Sequence, residues 1–402
     1  MATPDLRFPE FTEEWQEIKL SDLVTRVMRK NSKNETDLPL TISSLDGLVD
    51  QRTYFSKTIA SKDMSGYYLL KKGEFAYNKS YSAGYDYGSI KRLEKYDCGA
   101  LSTLYICFSL KDESYSDFLT KYFDSLKWNE EVSLICAEGA RNHGLLNVPI
   151  KEFFDIRMYI PPTDEERDKI VEFLNTIEAR VKTQREKVTE LEQQKQGIIQ
   201  RLLKQQIRFK KDNGTSFADW EEVKLSKILK EYREKCAKDG TFEHVSLTKE
   251  GVVPKTERYD REHLVTHEDK EYRVTHLNDI CYNPANLKFG VICKNSYGDA
   301  IFSPIYVTFK VNEKYSPDFI ELLVTQDDFI NYALRYQEGT VYERMSVSPE
   351  NLLSIKVSIP EMEEQIKISK FVSKLNQKIE AEQQILKDLE HLQYALLQQM
   401  FI

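Results

Sequence analysis

Two kinds of chemistry are open to the most reactive side chains of this sequence, and both concern nucleic-acid surfaces. Arg141-Asn142-His143 in the first half, and Tyr342 with Arg344 in the second, join groups that read base edges: an arginine fork matches guanine and an asparagine amide matches adenine. Arg52 and Lys57 flank an aromatic pair, and Lys255, Arg258 and Arg261 form a similar basic run two hundred residues on. A third cluster spans Tyr77 to Tyr96 with Lys79, Tyr81, Tyr85, Lys91 and Arg92; its later counterpart keeps Asn286 and Lys288. Flat rings beside cations can stack on bases while the cations meet phosphates. Each residue singly also has a plainer reading, as a solvated loop charge or a tyrosine packed in a strand.

Signs of catalysis are missing from the same inventory. Tyr282-Asn283-Pro284-Ala285 is similar to the Asn/Asp-Pro-Pro-aromatic motif of adenine methyltransferases, but it lacks the second proline and the closing aromatic. No glycine-rich strand-to-helix loop, no phosphate loop and no carboxylate pair repeated in both halves is present. Six cysteines without a CxxC pair argue against zinc and against a disulfide framework. His263 and His267 share helical spacing without further ligands nearby, so a surface pair is expected and no metal. The chain is read as noncatalytic and without a cofactor of its own. No basic-then-apolar leader and no apolar run approaching 18 residues is seen, so a cytoplasmic location is expected. The net charge is −8, and each half is slightly acidic. If the protein grips phosphates, its basic residues cluster locally or a partner supplies the rest.

What must position these residues is a duplicated scaffold. Trp15 in Glu14-Trp15-Gln16 returns as Trp220, and Tyr77-Asn78 returns as Tyr282-Asn283, each 205 residues later. Tyr105 answers Tyr306, Glu138-Gly139 answers Glu338-Gly339, and Ile160-Pro161 answers Ile359-Pro360. A separation that shrinks only from 205 to 199 implies one fold with small loop deletions. Runs at Leu104–Leu110 and Ile305–Val311 predict strands, and Phe118–Trp128 and Pro317–Leu334 predict helices, so each copy is mixed α and β.

Both copies end in a long amphipathic stripe. Pro161-Pro162 followed by Thr163-Asp164-Glu165-Glu166 reads as a helix start with a capping box. Ile170, Leu174, Ile177, Val181, Val188, Leu191, Ile198 and Leu202 then step by fours and threes, interrupted by Gln184 and Lys195. Ile368, Val372, Leu375, Ile379, Leu386, Leu389, Leu396 and Met400 repeat the seam 198 residues later, with Glu382 and Gln393 at the same interruptions. Such a seam is about 48 Å long at ~1.5 Å per residue. The module between the stripes has a diameter near ~40 Å and termini that usually lie close together. An antiparallel helix pair is therefore expected, with the modules related by a pseudo-two-fold axis. The boundaries are 1–160 for the first module, 161–206 for its helix, 207–358 for the second module and 359–402 for its helix.

The order module, long helix, module, long helix resembles the specificity subunit of type I restriction-modification systems. So do the repeat openings, Leu6-Arg7-Phe8 with Trp15 and Ile207-Arg208-Phe209 with Trp220, and the Ile-Pro junctions before both helices. The resemblance covers essentially the whole chain. It implies an α+β protein with two target recognition domains, each reading one half of a bipartite site in double-stranded DNA, and a helical rod that fixes the spacer. It implies two methylation subunits carrying S-adenosylmethionine, and restriction subunits using ATP in a larger complex. The residues alone leave a second reading open, a coiled-coil scaffold with two protein-binding modules, and a weaker third, a methyltransferase with fused specificity modules.

Overall fold

A computed structural model describes residues 2–55, 61–136, 145–236, 240–255, 271–339 and 345–402. The chain forms two compact units: residues 1–187 with 382–402, and residues 188–381. Each unit combines one module with part of each long helix, Asp164–Leu203 and Met362–Gln399.

In the first unit an antiparallel sheet has the order Val24–Arg26, Ile106–Leu110, Phe75–Asn78, Ser89–Arg92. Alternation along these strands explains their burial on both faces. Ile106, Phe108 and Leu110 join Phe75 and Tyr77 in one core, while Cys107 and Ala76 point into another. The first core is closed by Ser116–Asp124 and Asn129–Ile135: the helix expected over Phe118–Trp128 ends at Asp124, and a second helix that was not expected follows it. The break has a packing cause: Leu126 takes φ 61°, Trp128 is fully buried, and its Nε1–H donates to the Phe123 carbonyl at 2.9 Å. The second core lies under the hairpin Leu40–Ser43/Gly47–Asp50 and the pair Tyr68–Lys71/Cys98–Leu101. Single bridges, Pro39 parallel to Ala100 and Lys30 to Tyr68, link these strands.

The second unit repeats the plan strand for strand. Leu229–Tyr232, Val307–Val311, Ile280–Tyr282 and Ile292–Lys294 stand in the same antiparallel order. Val307, Phe309 and Val311 face one core and Cys281 the other. Here the second layer is a continuous sheet: Lys235–Cys236, Tyr272–Thr275, Ala300–Phe302, Glu243–Leu247, Val252–Pro254. Its parallel step between Glu243–Leu247 and Ala300–Phe302 matches the Pro39 to Ala100 bridge. Pro317–Val324 and Asp327–Ala333 again split an expected single helix. The Thr325 hydroxyl ends the first by donating back to the Glu321 carbonyl at 2.8 Å.

Within each unit the long helices run in opposite directions. Ile170, Leu174 and Ile177 share a core with Leu396 and Met400 in the first unit, and Leu202 shares one with Ile368 in the second. Val181, Val188, Val372 and Ile379 are also buried, while Leu191, Ile198, Leu375, Leu386 and Leu389 are half-buried. Of the polar interruptions, the Gln184 amide donates to the Glu382 carbonyl at 2.9 Å and to its carboxylate at 2.7 Å, and Lys187 reaches the same carboxylate. Lys195 meets Asn376 at 3.2 Å. Phe401 is buried against Trp15, Phe118 and Tyr122.

Candidate nucleic-acid interface

The first turn of each long helix is fastened to its module by a buried carboxylate. Glu166, 1% exposed, accepts both arms of Arg7 at 2.7 and 2.8 Å and the Trp15 Nε1–H at 3.0 Å. Glu364, fully buried, accepts Arg208 at 3.2 and 2.8 Å and Trp220 Nε1–H at 3.1 Å. Both arginines also donate to a carbonyl of their own arm, Glu13 at 2.6 Å and Ala218 at 2.5 Å. Thr163 Oγ1 caps the Glu166 N–H at 3.4 Å as the sequence suggests, but the Glu166 side chain does not turn back to the helix start. A charged guanidinium and an indole N–H are stronger donors than one backbone amide, and two charge-assisted bonds fix the fork. The Glu166 bonds outweigh burial and hold the Arg7 guanidinium above its ordinary range; Glu364 does the same for Arg208. Phe8 and Phe209 add edge-on contacts to Phe173 and Phe371.

This frame presents equivalent loops between equivalent strands, residues 79–88 in the first unit and 283–291 in the second. In the first, Ser82 and Tyr85 exchange backbone bonds of 3.3 and 2.8 Å around Ala83-Gly84. Gly88, at φ 83°, lets the loop return close to the strand: a Cβ there would lie 2.0 Å from the Asn78 carbonyl oxygen. Tyr81 stands 59% exposed on this loop, Tyr85 is half-buried, and Lys79 is half-buried with a partner. In the second, Leu287–Phe289 forms a single 3-10 turn closed by Gly290 at φ 77°. Lys288 lies 4.9 Å over the ring of Phe289, which is 61% exposed; Asn286 is half-buried and engaged.

Several residues of the expected cluster have partners inside the module. Tyr77 and Tyr282 are core residues whose hydroxyls donate to the Tyr87 carbonyl at 2.7 Å and the Val347 carbonyl at 3.0 Å. The Asn283 side chain accepts from the Ala285 and Asn286 amides, so Tyr-Asn-Pro-Ala is a turn following a strand. Lys91 pairs with Asp124 at 2.6 Å; burial opposes its charge, but Asp124 more than compensates and raises its pKa. Arg92 binds Asp117 at 2.7 Å, Glu94 at 2.8 Å and the Ser116 hydroxyl at 2.8 Å. The second unit repeats this clasp as Lys294 with Asp318. Arg52 folds back bidentately on Asp50, the cap of its own short helix. Lys255 is half-buried and engaged.

Lys57, Arg141, Asn142, His143, Arg258, Arg261, Tyr342 and Arg344 lie outside the described residues, as do His263 and His267. The aromatic pair noted between Arg52 and Lys57 is exposed and packed edge-on, Tyr54 against Phe55, while sequence reasoning passed over the lone exposed ring of Phe289. The signal for Phe289 was the glycine after it, which turns the chain and leaves the ring outside. Among the described residues no cluster of three or more His, Cys, Asp or Glu could hold a metal ion, and no helix is long and apolar enough to cross a membrane. All six cysteines are free thiols.

None of the curated proteins matches the sequence. Residues 218–391 match the family described as the type I restriction modification DNA specificity domain. Among solved structures, a chain from a study of complex assembly and conformational transition in the type I R-M system superposes with a TM-score of 0.59 at 13% identity, covering 96% of this chain and 97% of that one. The S subunit of a type I restriction-modification system from M. genitalium superposes with a TM-score of 0.50 at 15% identity, covering 100% and 99%. Residues 218–391 are therefore similar to the type I restriction modification DNA specificity domain, and the chain as a whole shares the fold of a solved S subunit of such a system.

Proposed function

We propose that this protein is the noncatalytic DNA-recognition subunit of a type I restriction-modification complex, reading a bipartite target with one half-site per module. The observation that carries this reading is a repeated frame with unlike loops. The carboxylate anchors and sheet orders recur, whereas the exposed residues Tyr81 and Phe289 differ in kind and setting. Two copies that differ at their exposed loops suit two different half-sites. The paired helices set the unread spacer. Methylation subunits bring S-adenosylmethionine, restriction subunits bring ATP, and the complex acts on adenines in the target. A net charge of −8 fits this division, because partners then complete the basic surface around the phosphates.

The decisive experiment replaces residues 207–358 with the corresponding module of another such subunit, co-expresses the chimera with methylation subunits, and maps methylated adenines across a genome. One half-site changes and the other stays. Alteration of both halves, or of neither, rejects independent reading.

A further inference from the structure

We propose that Leu104 and Ile305 are wedges: each enters the base stack of its own half-site and holds open the step from which the target adenine is turned out for methylation. The proposal rests on the functional reading above and gives the two modules a task in common, beside the reading of different sequences.

Leu104 is 64% exposed and Ile305 is 61% exposed, each at the third position of matching turns, Ser102 to Tyr105 and Ser303 to Tyr306. In both turns the tyrosine N–H donates to the serine carbonyl, at 3.2 and 3.1 Å. A single exposed aliphatic side chain on a surface requires no account. The same one, kept in both copies of a duplication and exposed to the same degree, does.

The turns are rooted at both ends, since each links the two layers of its module. Leu101 and Phe302 are buried in one core just before the turn, and Ile106 and Val307 in the other just after it. Pro304 fixes the second position of the later turn, where its ring suits the backbone. Strand pairing sets their place: Tyr77 lies opposite Ile106 and Tyr282 opposite Val307. Each turn therefore stands at the sheet end from which the loops 79–88 and 283–291 emerge.

The neighbours of the turns differ between the units. Beside the first loop stands the hairpin tip that carries exposed Leu45, where the Ser44 hydroxyl bonds those of Ser82 and Ser89 at 3.1 and 3.2 Å. In the second unit the tip brings exposed Lys249 against Gly290. Loops that differ suit half-sites that differ, whereas a residue that is kept suits what the half-sites share. On the reading above they share a duplex and an adenine that must leave the stack before a methyl group can reach it. Leucine and isoleucine offer no hydrogen bond to a base edge, and neither turn carries a charge for a phosphate. Both are among the apolar side chains that part base steps. A protein partner fits less well, because one turn is a small part of the ~1,200–2,000 Å² that a stable interface buries.

The test assembles the full chain with methylation subunits on a duplex holding the target mapped as above, with 2-aminopurine replacing the target adenine of one half-site at a time. This base brightens when it leaves the stack. Leu104→Ala lowers that signal, and the rate of methyl transfer on the natural duplex, by about tenfold in one half-site and leaves the other unchanged. Ile305→Ala does the reverse. Leu104→Met, which keeps an apolar side chain of similar volume, retains both. A mismatch opposite the target adenine restores the rate of each alanine variant, because a mismatched base leaves the stack more easily. A side chain with only a structural role would gain nothing from the mismatch. If the unaltered complex methylates both halves and neither alanine variant changes signal or rate, the wedge is overturned and the functional reading stands. If the variants instead assemble less tightly with the methylation subunits in the absence of DNA, the turns belong to a protein contact and the wedge is overturned. If the unaltered complex methylates no duplex, the functional reading is lost and the wedge with it.

Discussion

Where the first unit has Glu172, the second has Lys370; where the first has Glu166 under Trp15, the second has Glu364 under Trp220. The two pairs stand only six residues apart on the same helix, about 120° around it, yet one is inverted and the other kept. The kept carboxylate is buried and satisfies three donors, so any replacement leaves a guanidinium without its partner. The inverted one is exposed and forms no ion pair among the described residues. Internal repetition thus separates what the scaffold requires from what each copy was free to change.

The largest effect should come from the shared anchor. Glu166→Ala or Glu364→Ala strands a partly buried arginine, a loss of about 3–5 kcal/mol where a buried pair loses one member. Hydrogen exchange should show that loss in the first unit alone for Glu166→Ala and in the second alone for Glu364→Ala. A spread of either effect across both units breaks the comparison.

Next in size are the unlike loops. Tyr81→Ala and Phe289→Ala each remove an exposed ring whose stacking on a base would be worth about 1–3 kcal/mol, so DNA affinity should fall roughly 5- to 150-fold. Methylation of targets with single substitutions should show each variant relaxing a different half-site. If both relax the same half, the modules do not read separately.

A smaller loss, about 0.5–1.5 kcal/mol, is expected for Trp15→Phe and for Trp220→Phe, which remove one hydrogen bond and retain most of the ring. Thermal unfolding of the two variants should give similar shifts.

The subtlest contrast is with pH. His276 lies between Asp299 at 2.9 Å and Glu234 at 3.2 Å; burial opposes its charge, but these carboxylates win and raise its pKa. A raised folded-state pKa means that its contribution is fully present below the unfolded value of about 6.5 and is lost as pH rises through the folded value. Protection of the Tyr272–Thr275 edge should therefore fall on going upward from pH 6, and His276→Gln should abolish the change. Lys71 occupies the equivalent place in the first unit, which should show no such transition.

The long helices and the doubled frame were legible because they rest on periodicity and spacing, which a sequence carries openly. Trp15 and Trp220 were visible as repeat markers, but their partner was not. Glu166 reads locally as a capping residue, and only folding brings Arg7 to it from far along the chain. Tyr77 and Lys91 looked like surface chemistry beside Tyr81, since strand alternation decides which ring turns inward and a loop of mixed residues does not announce it. The helix break before Trp128 was hidden for a similar reason, as burial of a large ring overrides a continuous helical pattern, and the break at Thr325 rests on a hydroxyl-to-carbonyl bond that the pattern does not show.

The division of the long helices between units has a consequence for biosynthesis. Residues 188–381 are contiguous, so the second unit needs no segment made after residue 381 in order to close. The first unit, although made earlier, must wait for residues 382–402, whose Phe401 seals the cluster of Trp15, Phe118 and Tyr122. The nascent chain therefore carries an unsealed aromatic surface for most of its synthesis, and the half translated first is the half that matures last.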